Sequence, residues 1–308
     1  MKKIKVAVIG VGYLGKFHAE KYKINKKVDL IGVVDSNKER CAEISKKLDV
    51  PHYSDYKDVL SKIDAVSIAV PTNLHFKIGK YFLENGKHVL MEKPFTSTLA
   101  QAKTLEKIAN KKKIILQIGH LERFNQAFLK LKDAIKRPLF IECNRISPFK
   151  IRGTEVDVIM DLMIHDLDII LKLNQSKIKN IQAKGIKVLT NKADIANARI
   201  TFENGCICNL SSSRISEKVE RKTRIFQKNA YFSIDYQSNR LDTYLKTSDN
   251  KIQSIRRKSF QYKNNDSLKK EIESFIDCIK SKKSPIVSSK DGINALKYAM
   301  QISNKIKK

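Results

Sequence analysis

Residues 4–23, IKVAVIGVGYLGKFHAEKYK, constrain this chain more than any other segment. The run 4–9 is apolar throughout, the pattern of a strand buried on both faces. Gly10, Gly12 and Gly15 follow at the spacing G-x-G-x-x-G, and residues 13–23 read as a helix opening directly from that turn. A second strand at 30–34 ends at Asp35, about 20 residues beyond the last glycine. In a strand–turn–helix setting the glycines permit a tight turn and close backbone approach to a pyrophosphate, and the helix N-terminus offers oriented N–H groups. Gly10, Gly12, Tyr13, Leu14 and Gly15 are therefore read as a dinucleotide cradle. Asp35 is read as the acceptor for the ribose hydroxyls, which favours NAD over NADP because a carboxylate repels a 2′-phosphate. The bland alternative is a glycine turn that serves packing alone.

Strand and helix continue to alternate. Further strands are expected at 65–70, 88–91 and 114–118, with helices at 38–48, 74–85 and 99–110. This is the pattern of a doubly wound parallel sheet. Pro71, Thr72 and His75 follow the third strand, on the edge where a cofactor must run, although His75 also fits a helix-surface position. The texture changes after residue 120. Helices are expected at 121–136 and 156–173, a strand at 139–145, and then hairpins. Asn204-Gly205 sits between two alternating segments, and 228–230 and 248–250 are further turns. Two helices, 267–280 and 291–305, close the chain. The expectation is an α/β protein: a Rossmann domain at 1–120, and an α+β domain with an open, mostly antiparallel sheet at 121–308. The C-terminal helix is allowed to pack back on the first domain.

The formal charge is +29, from 61 Lys and Arg against 32 Asp and Glu. Such a balance suggests nucleic acid or an anionic membrane. The lysines, however, are scattered and form no basic stripe, so neither partner is assigned. No uncharged apolar run approaches the length of a membrane helix. The five cysteines are odd in number, form no C-x-x-C, and suit reduced thiols in a cytoplasmic protein.

Two further segments carry chemistry. HVLMEKPFT, residues 88–96, ends an apolar strand in Glu92, Lys93 and Pro94. Pro94 restricts Lys93 to an extended conformation and can hold a cis bond. Glu92 and Lys93 thus stand at a strand end where α/β folds place their sites, and Lys93 can reach a substrate hydroxyl. MDLMIHDLDII, residues 160–170, puts Asp161 and His165 four apart on a helix, with Asp168 three further on. A histidine titrating near neutrality can take a proton from an alcohol while hydride leaves its carbon. A buried pair kept for packing is the rival reading. Asp157, Asp161, His165 and Asp168 offer donors for zinc, but hydride transfer needs no metal when lysine and histidine are present, and none is assigned.

The glycine turn, the AVPTNLH segment, the MEKP segment and the D-x-x-x-H helix, in that order, resemble the glucose–fructose oxidoreductase, inositol dehydrogenase and rhizopine-catabolism family over essentially the whole chain. The resemblance implies NAD(P)-dependent sugar oxidation, with Lys93 polarising the reacting hydroxyl, His165 as general acid/base, Asp161 contacting substrate or steadying His165, and an open sheet that mediates homo-oligomerisation. GHLERFNQAF, residues 119–128, is similar to a stretch of the UDP-N-acetylglucosamine 3-dehydrogenases of that family, with Gln126 where proline is usual. These oxidise the sugar 3-hydroxyl to a ketone that an aminotransferase consumes. Arg123 is then expected to meet a diphosphate and Asn125 a sugar hydroxyl, against the alternative that Arg123 is a structural ion-pair partner. The other readings kept open are a dehydrogenase of a free polyol, inositol or simple sugar, a catalytically silent sugar or NAD sensor, and a nucleic-acid-binding protein.

Overall fold

The computed structural model describes residues 2–151, 153–247, 255–263 and 265–307. The chain forms two compact units, Met1–Leu121 with Asp266–Ile293, and Glu122–Asn265 with Asn294–Lys308. The first division falls within a residue of the 120/121 boundary read from sequence, and residues 266–293, at the C-terminal end, group with the first unit.

In the first unit the chain runs β1 (Ile4–Ile9), α1 (Gly15–Lys23), β2 (Val28–Val34), α2 (Lys38–Leu48), β3 (His52–Tyr53), β4 (Ala65–Ile68), α3 (Thr72–Glu84), β5 (His88–Glu92), α4 (Leu99–Lys112) and β6 (Leu116–Gly119). The strands form one parallel sheet in the order β3-β2-β1-β4-β5-β6. All four residues of β4 are buried, as expected of a parallel strand covered on both faces. The two-residue β3 escaped the sequence reading because it is too short to show a period. The strand order reverses between β1 and β4, which opens a crevice at their C-terminal ends.

In the second unit, α5 (Gln126–Leu131) and β7 (Pro138–Ile146) lead to α6 (Ile164–Leu173). There follow β8 (Ile178–Ile186), β9 (Ile195–Phe202), β10 (Ile207–Ser213), β11 (Glu220–Gln227), β12 (Ala230–Asp235), β13 (Arg240–Lys246) and β14 (Ile255–Gln261). The eight strands are ordered β14-β13-β12-β11-β7-β10-β9-β8, antiparallel except for β7 and β10. Gly205 at φ +85 and Asn229 at φ +63 make the hairpin turns read from sequence. The expected turn at 248–250 lies outside the described residues, but the strands on either side pair as a hairpin would. One face of the sheet buries Ile141, Ile225, Phe232 and Leu241 with Ile164 and Leu167 of α6. On the other face Phe140, Phe226, Tyr231 and Tyr244 form a continuous cross-strand row, with centroids 4.8–5.8 Å apart.

Two helices of α7 (Ser267–Ser281) and α8 (Ser289–Ile306) complete the chain. Ile272, Phe275 and Ile276 of α7 share a core with Val6, Val8 and Val33 of the first unit. The predicted helix at 121–136 is broken instead: a 3-10 turn spans Leu121–Phe124, and Asn125 accepts from the Ala127 N–H at 2.9 Å to cap α5 anew. The predicted helix at 156–173 begins as a π-helical turn, Ile159–Met163, before α6. Single π turns of this kind recur at functional sites.

Candidate active site

Two of the three glycines are required by the protein itself. A Cβ on Gly10, at φ +84, would lie 2.8 Å from the Ala69 carbonyl oxygen, and one on Gly15 would lie 1.8 Å from the Gly10 oxygen. Gly12 meets nothing within 4 Å, so its missing side chain leaves open space above the turn. Tyr13 and Phe17 stand edge to face beside it, with 5.7 Å between ring centroids. Asp35 is nearly buried, yet its carboxylate accepts from the Val11 N–H and the Asn37 N–H, each at 2.9 Å, and from Arg40 at 2.8 and 3.2 Å. Burial alone would raise its pKa. The Arg40 guanidinium and the two backbone donors outweigh that and hold it below the usual carboxylate range. The turn, the start of α1 and an anionic Asp35 at the end of β2 fit a dinucleotide. Pro71 caps α3 and is exposed, and Thr72 beside it is half-buried.

His75 does not fit the cofactor role read from sequence. It is buried, with Nδ1 2.9 Å from the Pro94 carbonyl and Nε2 2.9 Å from that of Val70. The ring ties the end of the β4 segment to the segment after β5, and burial lowers its pKa. Glu92, read from sequence as a site residue at the strand end and a candidate cofactor contact, is held by the protein itself. It turns inward, accepts from His18 Nε2 at 2.9 Å and receives the Lys93 N–H at 3.2 Å. Burial would raise the Glu92 pKa, but His18 and Lys93 bring it below normal. Lys93, half-buried, follows at the strand end, and the Lys93–Pro94 bond is cis as the sequence allowed.

In the second unit Asp161 lies in the π-helical turn and His165 in the first turn of α6, both half-buried. The π turn breaks the simple four-residue phase assumed from sequence. Gly153, at φ +87, packs on Asp161 so closely that a Cβ would stand 2.7 Å from Oδ2. Arg214 holds this loop by donating to the carbonyls of Gly153, Val156 and Ala193 at 2.7, 2.8 and 3.0 Å and to Asp194 at 3.0 Å. Asp194 also takes three backbone N–H groups, of Val188, Leu189 and Thr190. Those donors outweigh its burial and hold it well below the carboxylate range.

The residues flanking His165 are anchored. Asp166 receives Arg145 through Nε and Nη2 at 3.0 Å, and Arg145 Nη1 donates to Glu122 at 2.9 Å. Arg145 also lies over the Tyr236 ring at 5.8 Å. Burial raises the Asp166 pKa even against Arg145, and the two carboxylates raise that of Arg145. Arg123 pairs with Asp168 at 3.3 Å, with side chains 1% and 2% exposed. This pair is the structural ion-pair alternative read for Arg123, and it engages the guanidinium that the diphosphate reading calls on. Asn125 is buried too, capping α5 and donating to Asn239 at 3.1 Å rather than presenting itself to a sugar. The sequence reading missed His18, Glu271, Arg145, Asp166, Asp194 and Arg214. Asp166 inside the apolar run IHDLDII was the one local signal available; Asp194 takes backbone donors from the turn just before it, and the others find their partners across long separations.

Residues 4–120 match the model of the oxidoreductase family with an NAD-binding Rossmann fold, GFO/IDH/MocA, and residues 147–233 match its C-terminal domain. The chain is similar to the UDP-N-acetylglucosamine 3-dehydrogenase of Acidithiobacillus ferrooxidans, 36% identical over 97% of this chain and 96% of the relative. A solved structure of that enzyme superposes with a TM-score of 0.93 over 99% of this chain and 98% of the other. The myo-inositol 2-dehydrogenase of Thermotoga maritima is 26% identical over 95% of this chain and 93% of its own. A scyllo-inositol dehydrogenase from Lactobacillus casei, solved with NAD(H) and scyllo-inositol, shares the fold at 19% identity, with a TM-score of 0.83 over 99% and 97% of the two chains.

Two outcomes test this geometry. Gly15→Ala is expected to destabilise the fold, whereas Gly12→Ala leaves thermal unfolding near wild type and weakens NADH binding by roughly tenfold or more, about 1.4 kcal/mol. Paired melts and NADH fluorescence titrations check both. Arg123→Ala leaves Asp168 buried without its guanidinium and is expected to cost about 3–5 kcal/mol in denaturant unfolding. A change in sugar KM at unchanged stability would support the diphosphate role.

Proposed function

We propose that this chain, which belongs to the GFO/IDH/MocA family of NAD-binding oxidoreductases, oxidises a secondary hydroxyl of a sugar, the 3-hydroxyl of UDP-N-acetylglucosamine, to the 3-keto sugar. The observation that carries the reading is the near full-length similarity to a UDP-N-acetylglucosamine 3-dehydrogenase, in a chain that keeps both Lys93 and His165. A silent sensor would have no use for both residues.

In this reading His165 takes the proton of the sugar hydroxyl as the carbon–hydrogen bond breaks, and Lys93 donates to the hydroxyl oxygen and steadies its developing negative charge. Bound at the glycine turn, the nicotinamide cofactor supplies the hydride acceptor. The alcohol loses one hydride and one proton, giving the ketone, reduced cofactor and a released proton. Asp161 steadies the substrate or His165, and the Gly153 contact on its carboxylate supports a fixed orientation. Pro71 and Thr72 border the cofactor path.

The cofactor is NAD in preference to NADP. An anionic Asp35 at the end of β2 supports this reading, since it suits ribose hydroxyls and already engages Arg40, the guanidinium that a 2′-phosphate would need. The high positive charge speeds arrival of a dianionic nucleotide sugar, an effect that weakens in salt. Oxidation of a secondary alcohol by NAD is uphill near neutrality, so a ketone-consuming aminotransferase is the natural partner reaction. The row Phe140, Phe226, Tyr231 and Tyr244 supports homo-oligomerisation through the outer face of the sheet. Five buried unpaired cysteines accord with a cytoplasmic location.

His165→Ala is expected to lower kcat with UDP-N-acetylglucosamine by roughly 10²–10⁴ with little change in NADH affinity. Near wild-type turnover of the variant from pH 6 to 9 would remove the assignment. Asp35→Ser releases Arg40 and should narrow the NAD-over-NADP ratio of kcat/KM by roughly tenfold. A wild-type preference for NADP would contradict the cofactor reading.

A further inference from the structure

The first unit buries a cluster of ionisable groups that the proposed reaction does not use. His18 of α1, Glu92 of β5 and Glu271 of α7 bring one donor atom each within 4.8 Å of one another, and all are buried. His18 is engaged on both sides: Nε2 meets Glu92 at 2.9 Å and Nδ1 meets Ser67 Oγ at 2.9 Å, to which the Tyr22 hydroxyl donates at 3.3 Å. Glu92 takes His18 and the Lys93 N–H. Glu271 is different. It is 0% exposed, and neither carboxylate oxygen has a hydrogen-bond partner. Gln117 of β6 donates its amide to the Glu271 backbone carbonyl at 3.1 Å, while its own Oε1 also lacks a partner. The cluster therefore holds surplus acceptors and is short of a donor.

Two carboxylates this close and this buried do not both ionise. Among the described residues, the titratable groups placed with Glu271 are His18 and Tyr22 of α1 and Glu92 of β5, with Lys93 next to Glu92 and the polar Ser67 and Gln117 also in the cluster. His18 and the Lys93 N–H are committed to Glu92, which leaves Glu92 as the member that carries the charge.

We propose that Glu271 is held as a neutral carboxylic acid whose O–H is the donor this cluster otherwise lacks, making it a positioning residue for Glu92 and the strand end that carries Lys93. Burial first, and the Glu92 charge second, push its pKa well above the carboxylate range, in agreement. One proton is taken up by Glu271 on folding at neutral pH, and no other covalent change is involved. The link to turnover rests on the dehydrogenase reading. The proton itself does not, and it is measured separately.

The test uses the full-length protein. Carbon-13 labelled glutamate carboxyls are followed by NMR from pH 5 to 9, with Glu271→Gln used to assign the resonance. One buried carboxyl is expected to keep the shift of the protonated acid where ordinary glutamates have ionised. A fold that favours the acid form has its full stabilisation below the unfolded-chain value, about 4.3, and loses it as pH rises toward the folded-state value. Over that window the folding constant of wild type is expected to fall about tenfold per pH unit relative to Glu271→Gln. In turnover, Glu271→Gln, which keeps a donor, is expected to recover most of what Glu271→Leu loses. A Glu271 resonance that is already ionised at pH 6, or parallel stability slopes in the two proteins, would overturn the proposal. So would one equivalent of zinc or manganese bound by wild type and lost in Glu271→Gln, since a cation would then occupy the proton's place.

Discussion

Charge buried in an apolar interior has to be compensated where it lies, and that requirement organises both units. An unpaired buried carboxylate costs several kcal/mol, whereas a paired and fully hydrogen-bonded one is tolerated. Asp35 is met by Arg40 and two backbone donors, Glu92 by His18, Asp166 by Arg145, Asp168 by Arg123, and Asp194 by Arg214 with three backbone N–H groups. Each pair ties a functional segment to a rigid element. Arg40 and Val11 tie Asp35 to the glycine turn; Arg145 and Arg123 tie the two sides of the His165 turn; Arg214 ties the loop that backs Asp161. Among the described residues Glu271 is the buried carboxylate with no such partner, which is why its proton matters.

These pairs are weak evidence for stability in themselves, since hydrophobic replacements of the same volume are often as stable. Their use here is geometric. A general base, the role proposed for His165, is effective only if it is presented in one orientation, and α6 carries His165 between residues that cannot rotate away without leaving Asp166 or Asp168 unpaired. The first unit shows the same economy at Lys93, whose N–H is received by Glu92 and whose following residue, Pro94, offers its carbonyl to His75.

Much of this was legible in the sequence where the signal is local. The glycine spacing, the buried run at β1 and Asp35 at the end of β2 specify the nucleotide fold within 35 residues. The hairpin at Asn204-Gly205 declares its own turn geometry. What was not legible depends on partners far away in the chain. Nothing near Arg123 says that it will meet Asp168, 45 residues on, so an exposed role was assigned to a residue that is 1% exposed. His75 and Glu92 carry the residue types of a site, but backbone carbonyls and His18 claim them. The π turn at Ile159–Met163 has no periodic signature in a run that is apolar on nearly every side.

The central claim is that hydride leaves C3 of a UDP-linked N-acetylhexosamine. UDP-N-acetylglucosamine carrying deuterium at C3 tests it directly, with NAD present and the ketone trapped as it forms. The account predicts one deuterium transferred to the reduced cofactor for each turnover, none transferred from substrate labelled at C4, and little turnover of free N-acetylglucosamine or myo-inositol. Transfer from another carbon, or equal turnover of myo-inositol, would contradict it.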